Sequence, residues 1–258
     1  MNNFNLKTIS IILFSLISII SFAQDTTIVF DRPGIADSPY LVDKKAWQIE
    51  TGASYMKKSG LENSYLPSIM LRKYIGWKSE LRLTCNYEPQ MFSIIKRDLE
   101  ENIDPIAIGL KHKIFKENKW IPEASMIINT YYPMQRINKI GKENRYNAEA
   151  SFQFHHNIND RLGLNYNFGG IISNQFTNGI LTYSFCLNIN PHHHFGFFIE
   201  GFGYKPIKNN FNEWGYDAGI LFYPTKKSQI DLSIIDNAFD KTHYASLLIG
   251  YSILISKK

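Results

Sequence analysis

Between Trp47 and Tyr55 the chain changes character at every residue. Trp47, Ile49, Thr51, Ala53 and Tyr55 fall on one side, and Gln48, Glu50, Gly52 and Ser54 on the other. A period of two puts alternate side chains on opposite faces of an extended strand. The apolar face has an aromatic residue at each end. The segment is about the length that crosses hydrocarbon when tilted. The pattern therefore predicts a transmembrane β-strand, with lipid on one side and a polar lumen on the other.

The same alternation recurs along the chain. It predicts further strands over Tyr65 to Tyr74, Ser79 to Tyr87, Asp104 to Phe115, Trp120 to Tyr131, Tyr146 to His156 and Arg161 to Gly170. Others follow over Gly179 to Ile189, His194 to Tyr204, Glu213 to Tyr223, Gln229 to Ile235 and Tyr244 to Ser256. The ninth of these is the least regular, because Phe198 and Phe202 share a face with Glu200. The fold class read from this is all-β: an antiparallel transmembrane β-barrel of about 12 strands, with 10 or 14 also compatible. Closure follows from solvent chemistry, since an open sheet edge in hydrocarbon leaves unpaired N–H and C=O groups. The competing fold is a soluble secreted β-sandwich, whose strands are also apolar on one face.

Connections after even-numbered strands are short and those after odd-numbered strands are mostly long. That polarity matches short periplasmic turns and longer extracellular loops, and places both ends of the barrel in the periplasm. The segment Met91 to Glu100 reads as a short helix or strand extension within one long loop. Ahead of the barrel, Lys7 precedes an apolar run from Ile9 to Ile20, followed by Ser21, Phe22 and Ala23. This is the form of a secretory signal peptide, cut after Ala23. The expected organisation is a signal peptide at 1–23, a turn-rich periplasmic lead-in at 24–45 and an outer-membrane barrel at 46–258.

Composition fits that reading. Charged residues make up 20% of the chain, aromatics 14%, and the formal charge is +5. Much of the lysine lies in predicted turns, at Lys57 and Lys58, Lys116 and Lys119, Lys226 and Lys227, Lys257 and Lys258. Cations spread over turns of an exported chain suit lipid headgroups and water, and nucleic acid is not an expected partner. Cys85 and Cys186 fall on opposite types of face, so no disulfide is expected.

The inward charges are the candidate chemistry: Glu50, Arg72, Glu80, Arg82, Lys111, Glu123, Glu149, Glu200, Asp217 and Asp231. Isolated charges in a narrow lumen are costly, so they must pair or stay hydrated. Arg72, Glu80 and Arg82 lie beside one short turn and are expected to form a network. The set reads either as a polar constriction that selects solutes or as a structural filling of a small barrel. His192, His193 and His194 are consecutive on a turn, and three such neighbours cannot converge on one ion, so no metal site is expected. No nucleophile–base set or nucleotide fingerprint appears. No catalytic residue, enzyme activity or cofactor is expected.

The stretch DRPGIADSPYLVDKKAWQIETG resembles the opening of an outer-membrane "transporter" family named for the MetA pathway of phenol degradation. The residues in common are Asp31, Arg32, Pro33, Gly34, Asp37, Ser38 and Pro39, then Glu50 and Gly52. A second similar block is LRKYIGWKSELRL, with Leu71, Arg72, Tyr74, Gly76, Glu80, Leu81 and Arg82. Gly109 with Lys111, Glu200, Asp217 with Gly219, and Gln229 with Asp231 extend the resemblance. The chain departs from the family at its end, ILISKK, which lacks an aromatic terminus. The resemblance implies an outer-membrane barrel that passes small molecules, aromatic or hydrophobic ones among them. Its expected partners are outer-membrane lipid, the solutes and the barrel-insertion machinery, with the oligomeric state left open. A non-transporting envelope barrel with a structural or partner-binding role is the alternative, and a membrane-embedded enzyme a third.

Overall fold

A computed structural model describes residues 29–58, 64–86, 103–134, 147–173, 176–207, 212–237 and 244–256. The 1–23 signal segment, Met91 to Glu100 and His243 lie outside the described residues. The strands are β1 (Ala46–Lys58), β2 (Ser64–Gly76), β3 (Ser79–Asn86), β4 (Ile103–Phe115), β5 (Glu123–Met134) and β6 (Asn147–Asn159). They continue with β7 (Leu162–Ser173), β8 (Phe176–His192), β9 (Phe195–Pro206), β10 (Glu213–Thr225), β11 (Ser228–Asp236) and β12 (Tyr244–Ser256). Each pairs antiparallel with its neighbours, and β1 pairs with β12 from Ala46↔Ser256 to Lys58↔Tyr244, closing the barrel.

Sequence alternation becomes radial alternation. On β11, Ser228, Gln229, Asp231, Ser233 and Ile235 are buried, while Ile230, Leu232 and Ile234 are exposed. The exposed set across the wall is apolar, with Leu83, Ile108, Phe168, Phe185, Ile220 and Tyr251 among it. Outer aromatics stack across strands, Phe154 on Tyr166 with centroids 5.1 Å apart and Phe168 edge-on to Phe185 at 5.5 Å. An outer face of this kind needs hydrocarbon around it. Replacing Leu232, at the middle of β11 and 45% exposed, by Lys tests this. Leu232→Lys is expected to cost about 2–4 kcal/mol in reversible urea unfolding in phospholipid vesicles. A wall that faces water would show no such loss.

At one end of the barrel, two-residue turns join β2 to β3 (77–78), β6 to β7 (160–161), β8 to β9 (193–194) and β10 to β11 (226–227). Trp77 and Lys78 both have positive φ, as a tight hairpin of matching twist requires, and Gly76 before them has φ 103°. Ala46 and Ser256 lie at this same end, called the turn end below.

The structure corrects two expectations. The fifth strand starts at Glu123 rather than Trp120: Asn118 and Ile121 bridge a wider turn, and Trp120 projects from it, 93% exposed. The connection after β7 is not long, because β8 extends over 17 residues and leaves only 174–175 between them. On β9, Phe198 and Phe202 do share the inward face with Glu200, as the sequence pattern has it, while Phe197 and Ile199 face out. These inward aromatics belong to an interior that is not wholly polar. Met56, Phe202, Ile235 and Leu248 form one internal cluster, and Cys186, Phe198 and Leu221 with Ala36 form another. Cys85 and Cys186 are both free thiols.

Candidate functional site

The lead-in does not lie outside the barrel. Residues 31–42 sit within the lumen, a placement that their turn-rich sequence, read as a periplasmic lead-in, leaves open. The physical reason lies in their polar groups. A segment without a sheet partner must satisfy its backbone N–H groups elsewhere. Here inward strand carboxylates accept them: Glu50 from Arg32 N at 2.9 Å, Glu200 from Ile35 N at 2.9 Å, and Glu80 from Val42 N at 2.8 Å.

Asp31 is the centre of the arrangement. Its Oδ2 lies 3.0 Å from Arg72 Nη1, 2.9 Å from Arg82 Nη1 and 2.9 Å from Lys111 Nζ. Its Oδ1 accepts the Ser38 amide at 3.0 Å and the Ser38 hydroxyl at 2.7 Å. One lead-in carboxylate therefore ties together β2, β3 and β4. Arg72 and Arg82 stand directly opposite each other in the sheet, where like charges repel. The anions around them remove that conflict. Arg72 also donates to Glu50 at 3.0 Å, Glu80 at 2.7 Å and the Tyr40 carbonyl at 3.0 Å, and Arg82 holds Asp37 at 2.9 Å. Burial works against a charged Asp31, but Arg72, Lys111 and Arg82 outweigh it and hold its carboxyl well below the usual carboxylate range.

The segment forms a loop whose two limbs meet the turn end. On one limb Gln48 Nε2 donates to the Val29 carbonyl at 3.3 Å. On the other, Tyr40 lies under Lys113 Nζ, 5.1 Å from the ring centre, and meets the His155 ring edge-on at 5.3 Å. The tip reaches the far wall. Arg32 donates to Ser68 at 2.8 Å and approaches Asp231 at 3.5 Å, and Gln229 donates to the Arg32 carbonyl at 3.0 Å. Ile35 packs on the Met56 cluster and Ala36 within the Phe198 cluster. Two glycines make the fit possible. A Cβ at Gly34 would stand 2.6 Å from Glu200 Oε2, and one at Gly52 would stand 2.2 Å from the Arg32 guanidinium.

All ten sequence-selected charges lie on the inner face. Glu50, Arg72, Glu80, Arg82 and Lys111 join a single network through Asp31. The others stand apart. Glu123 pairs with Lys113 and accepts Glu117 N. Glu149 accepts from Tyr131 and Asn129. Glu200 faces Asp217 across β9 and β10, both buried and without a lysine or arginine at ion-pair distance among the described residues. Asp231 meets Arg32. Of the family-like lead-in residues, Asp31, Arg32, Gly34, Asp37 and Ser38 touch the wall or hold the loop, Lys113 Nζ donates to the Pro39 carbonyl at 3.4 Å, and Pro33 lines the space beyond. The histidine turn is exposed, and no metal-holding group of three occurs among the described residues.

Beyond the tip, toward the end opposite the turns, a cavity of about 270 Å³ remains. Its floor is the lead-in from Asp31 to Asp37. Its walls include Met56, Met70, Arg82, Tyr131, Glu149, Tyr204 and Leu248. Sequence reasoning missed Tyr131, Tyr204 and Met56 as site residues. The period-two pattern carried through to Met56 marks its inward position but not its neighbours.

Solved structures with this fold include an outer-membrane channel from Pseudomonas putida F1, at 9% identity and TM-score 0.59 over 86% of this chain and 99% of that one. The KdgM porin in complex with disordered oligogalacturonate is similar at 7% identity and TM-score 0.56, over 79% and 98% of the two chains. The CymD monoaromatic hydrocarbon channel matches at 7% identity and TM-score 0.50, over 83% and 89%. At such identities the likeness is one of fold. No curated protein sequence matches the chain. The family described as "Putative MetA-pathway of phenol degradation" matches residues 30–238, from the seated lead-in through β11, and the chain belongs to that family.

Proposed function

We propose that this outer-membrane barrel is a channel or facilitator for passive passage of small molecules, aromatic or hydrophobic ones among them, with the lead-in as its constriction. The carrying observation is a closed barrel whose interior divides into a cavity at one end and a hydrogen-bonded segment at the other. With the turns in the periplasm, the cavity opens outward and the lead-in closes the inner end. Outer-membrane lipid contacts the apolar belt, and the barrel-insertion machinery places it there. The family's name, and the channels and porins of similar fold, agree with this reading.

On this reading six of the ten inward charges divide. Glu50, Arg82 and Glu149 line the cavity, where Glu149 acts on solutes. Arg72, Glu80 and Lys111 fasten the lead-in to the wall. A second reading, a non-transporting envelope barrel, draws on the same fastening, because a fully seated lead-in leaves little free cross-section. Planar-bilayer conductance and liposome swelling with small solutes decide between them. The channel reading expects small but finite ion current and solute entry. Absence of both in folded, inserted protein ends it.

A further inference from the structure

We propose that the outward cavity binds small organic cations, seating an ammonium head between Glu149 and Asp37 and an apolar body against Ile35, Met56 and Leu248. As the solute class of the passage inferred above, the proposal rests on that reading. As a binding site, it stands on the cavity alone.

The guanidinium Nη groups that line the cavity are already committed. Arg82 gives Nη1 to Asp31 and Nη2 to Asp37, both at 2.9 Å, with Met70 Sδ at 3.1 Å. Arg32 gives Nη1 to Ser68 and Nη2 to Asp231. The acceptors are not exhausted. Tyr131 and Asn129 both donate to the same Glu149 oxygen, Oε2. No lysine or arginine among the described residues stands within ion-pair distance of Glu149. Asp37 engages Arg82 through Oδ1 and keeps 26% of its side chain exposed. At Glu149 and Asp37 a ligand meets carboxylate oxygens that accept only, so it must bring the protons to them. Among the described residues the uncompensated charge at Glu149 is negative, so a cationic donor gains most.

The opposite side of the cavity is apolar. Met56, Ile235 and Leu248 pack with Ile35 in one cluster that reaches the cavity wall. A volume of about 270 Å³ is near the lower limit for ligand pockets and suits a solute of one ring with a short side chain. Acid on one side and hydrocarbon on the other select an amphiphile with a charged head.

The test uses the full chain, purified in detergent, and three ligands of one skeleton: 2-phenylethylammonium, 2-phenylethanol and phenylacetate. Calorimetric titration is expected to show the ammonium binding roughly tenfold tighter than the alcohol, with phenylacetate weakest. Glu149→Gln keeps an acceptor for Tyr131 and removes the charge, and is expected to bring ammonium and alcohol within about threefold. Phenylacetate binding as well as the ammonium, a preference unchanged by Glu149→Gln, or no binding of any ligand overturns the proposal. Liposome swelling with 2-phenylethanol separates the two readings. Entry of the alcohol without cation preference in the titration leaves a channel and removes the cation site. Cation preference without swelling supports the site and removes the channel.

Discussion

Deletion of residues 24–45 is expected to raise single-channel conductance roughly tenfold, because it empties the inner half of the lumen. Empty, a 12-strand barrel lies between the smallest barrels, which side chains fill, and the large porins, which hold a water column. The lead-in occupies that space through contacts to β1, β2, β3, β4, β9 and β11, yet it contributes no strand to the wall. The backbone ladder therefore survives its removal. Stability falls nonetheless, since Arg72 and Arg82 then face each other without Asp31 between them. Planar-bilayer recording measures the conductance, and slower gel migration on heating shows that the shortened chain still folds. A folded, inserted barrel with unchanged conductance would mean that the lead-in is not the obstruction.

Arg72→Ala is expected to cost about 3–5 kcal/mol in urea unfolding, the largest effect of any single inward charge. Arg72 is 1% exposed and touches three carboxylates, Asp31 at 3.0 Å, Glu50 at 3.0 Å and Glu80 at 2.7 Å. The pairs themselves need add little net stability, because burying both partners is expensive. Removing the guanidinium is different, since it leaves buried anions without their cation. Arg72→Lys is expected to recover less than half of the loss. A single ammonium cannot reproduce a planar fork that serves three carboxylates and the Tyr40 carbonyl at once. A loss below about 1 kcal/mol for Arg72→Ala would show that water, not the arginine, compensates those carboxylates.

Much of the barrel was legible because its solvent arrangement imposes a period of two. Every predicted strand corresponds to an observed one, and β12 has the predicted limits. Where reading failed, a local rule met a tertiary fact. That Phe198 and Phe202 share the inward face was legible, but not the cause, which is the tip of another segment packing on them. The lead-in has no period at all, so its sequence showed turns but not location. Glu50, Arg72, Glu80 and Arg82 were recognisable as inward charges. Their joining through Asp31 was not, since partners such as Asp31 and Lys111 are 80 residues apart, and Arg32 and Asp231 are 199 apart. Asp31 and Arg32 stood out only through family resemblance, and resemblance names residues without supplying their geometry.

Only Asp43, Lys44 and Lys45 separate Val42, the last seated residue, from the first residue of β1, and Ala46 N closes that span on the Asp43 carbonyl at 3.0 Å. The obstruction is thus tethered to the wall it obstructs. Were the segment to leave the lumen, its release and return would be unimolecular, independent of how densely the protein is packed in the membrane. A tether this short sets an effective concentration on the order of millimolar or above, and a free copy of the segment competes at a disadvantage of that size.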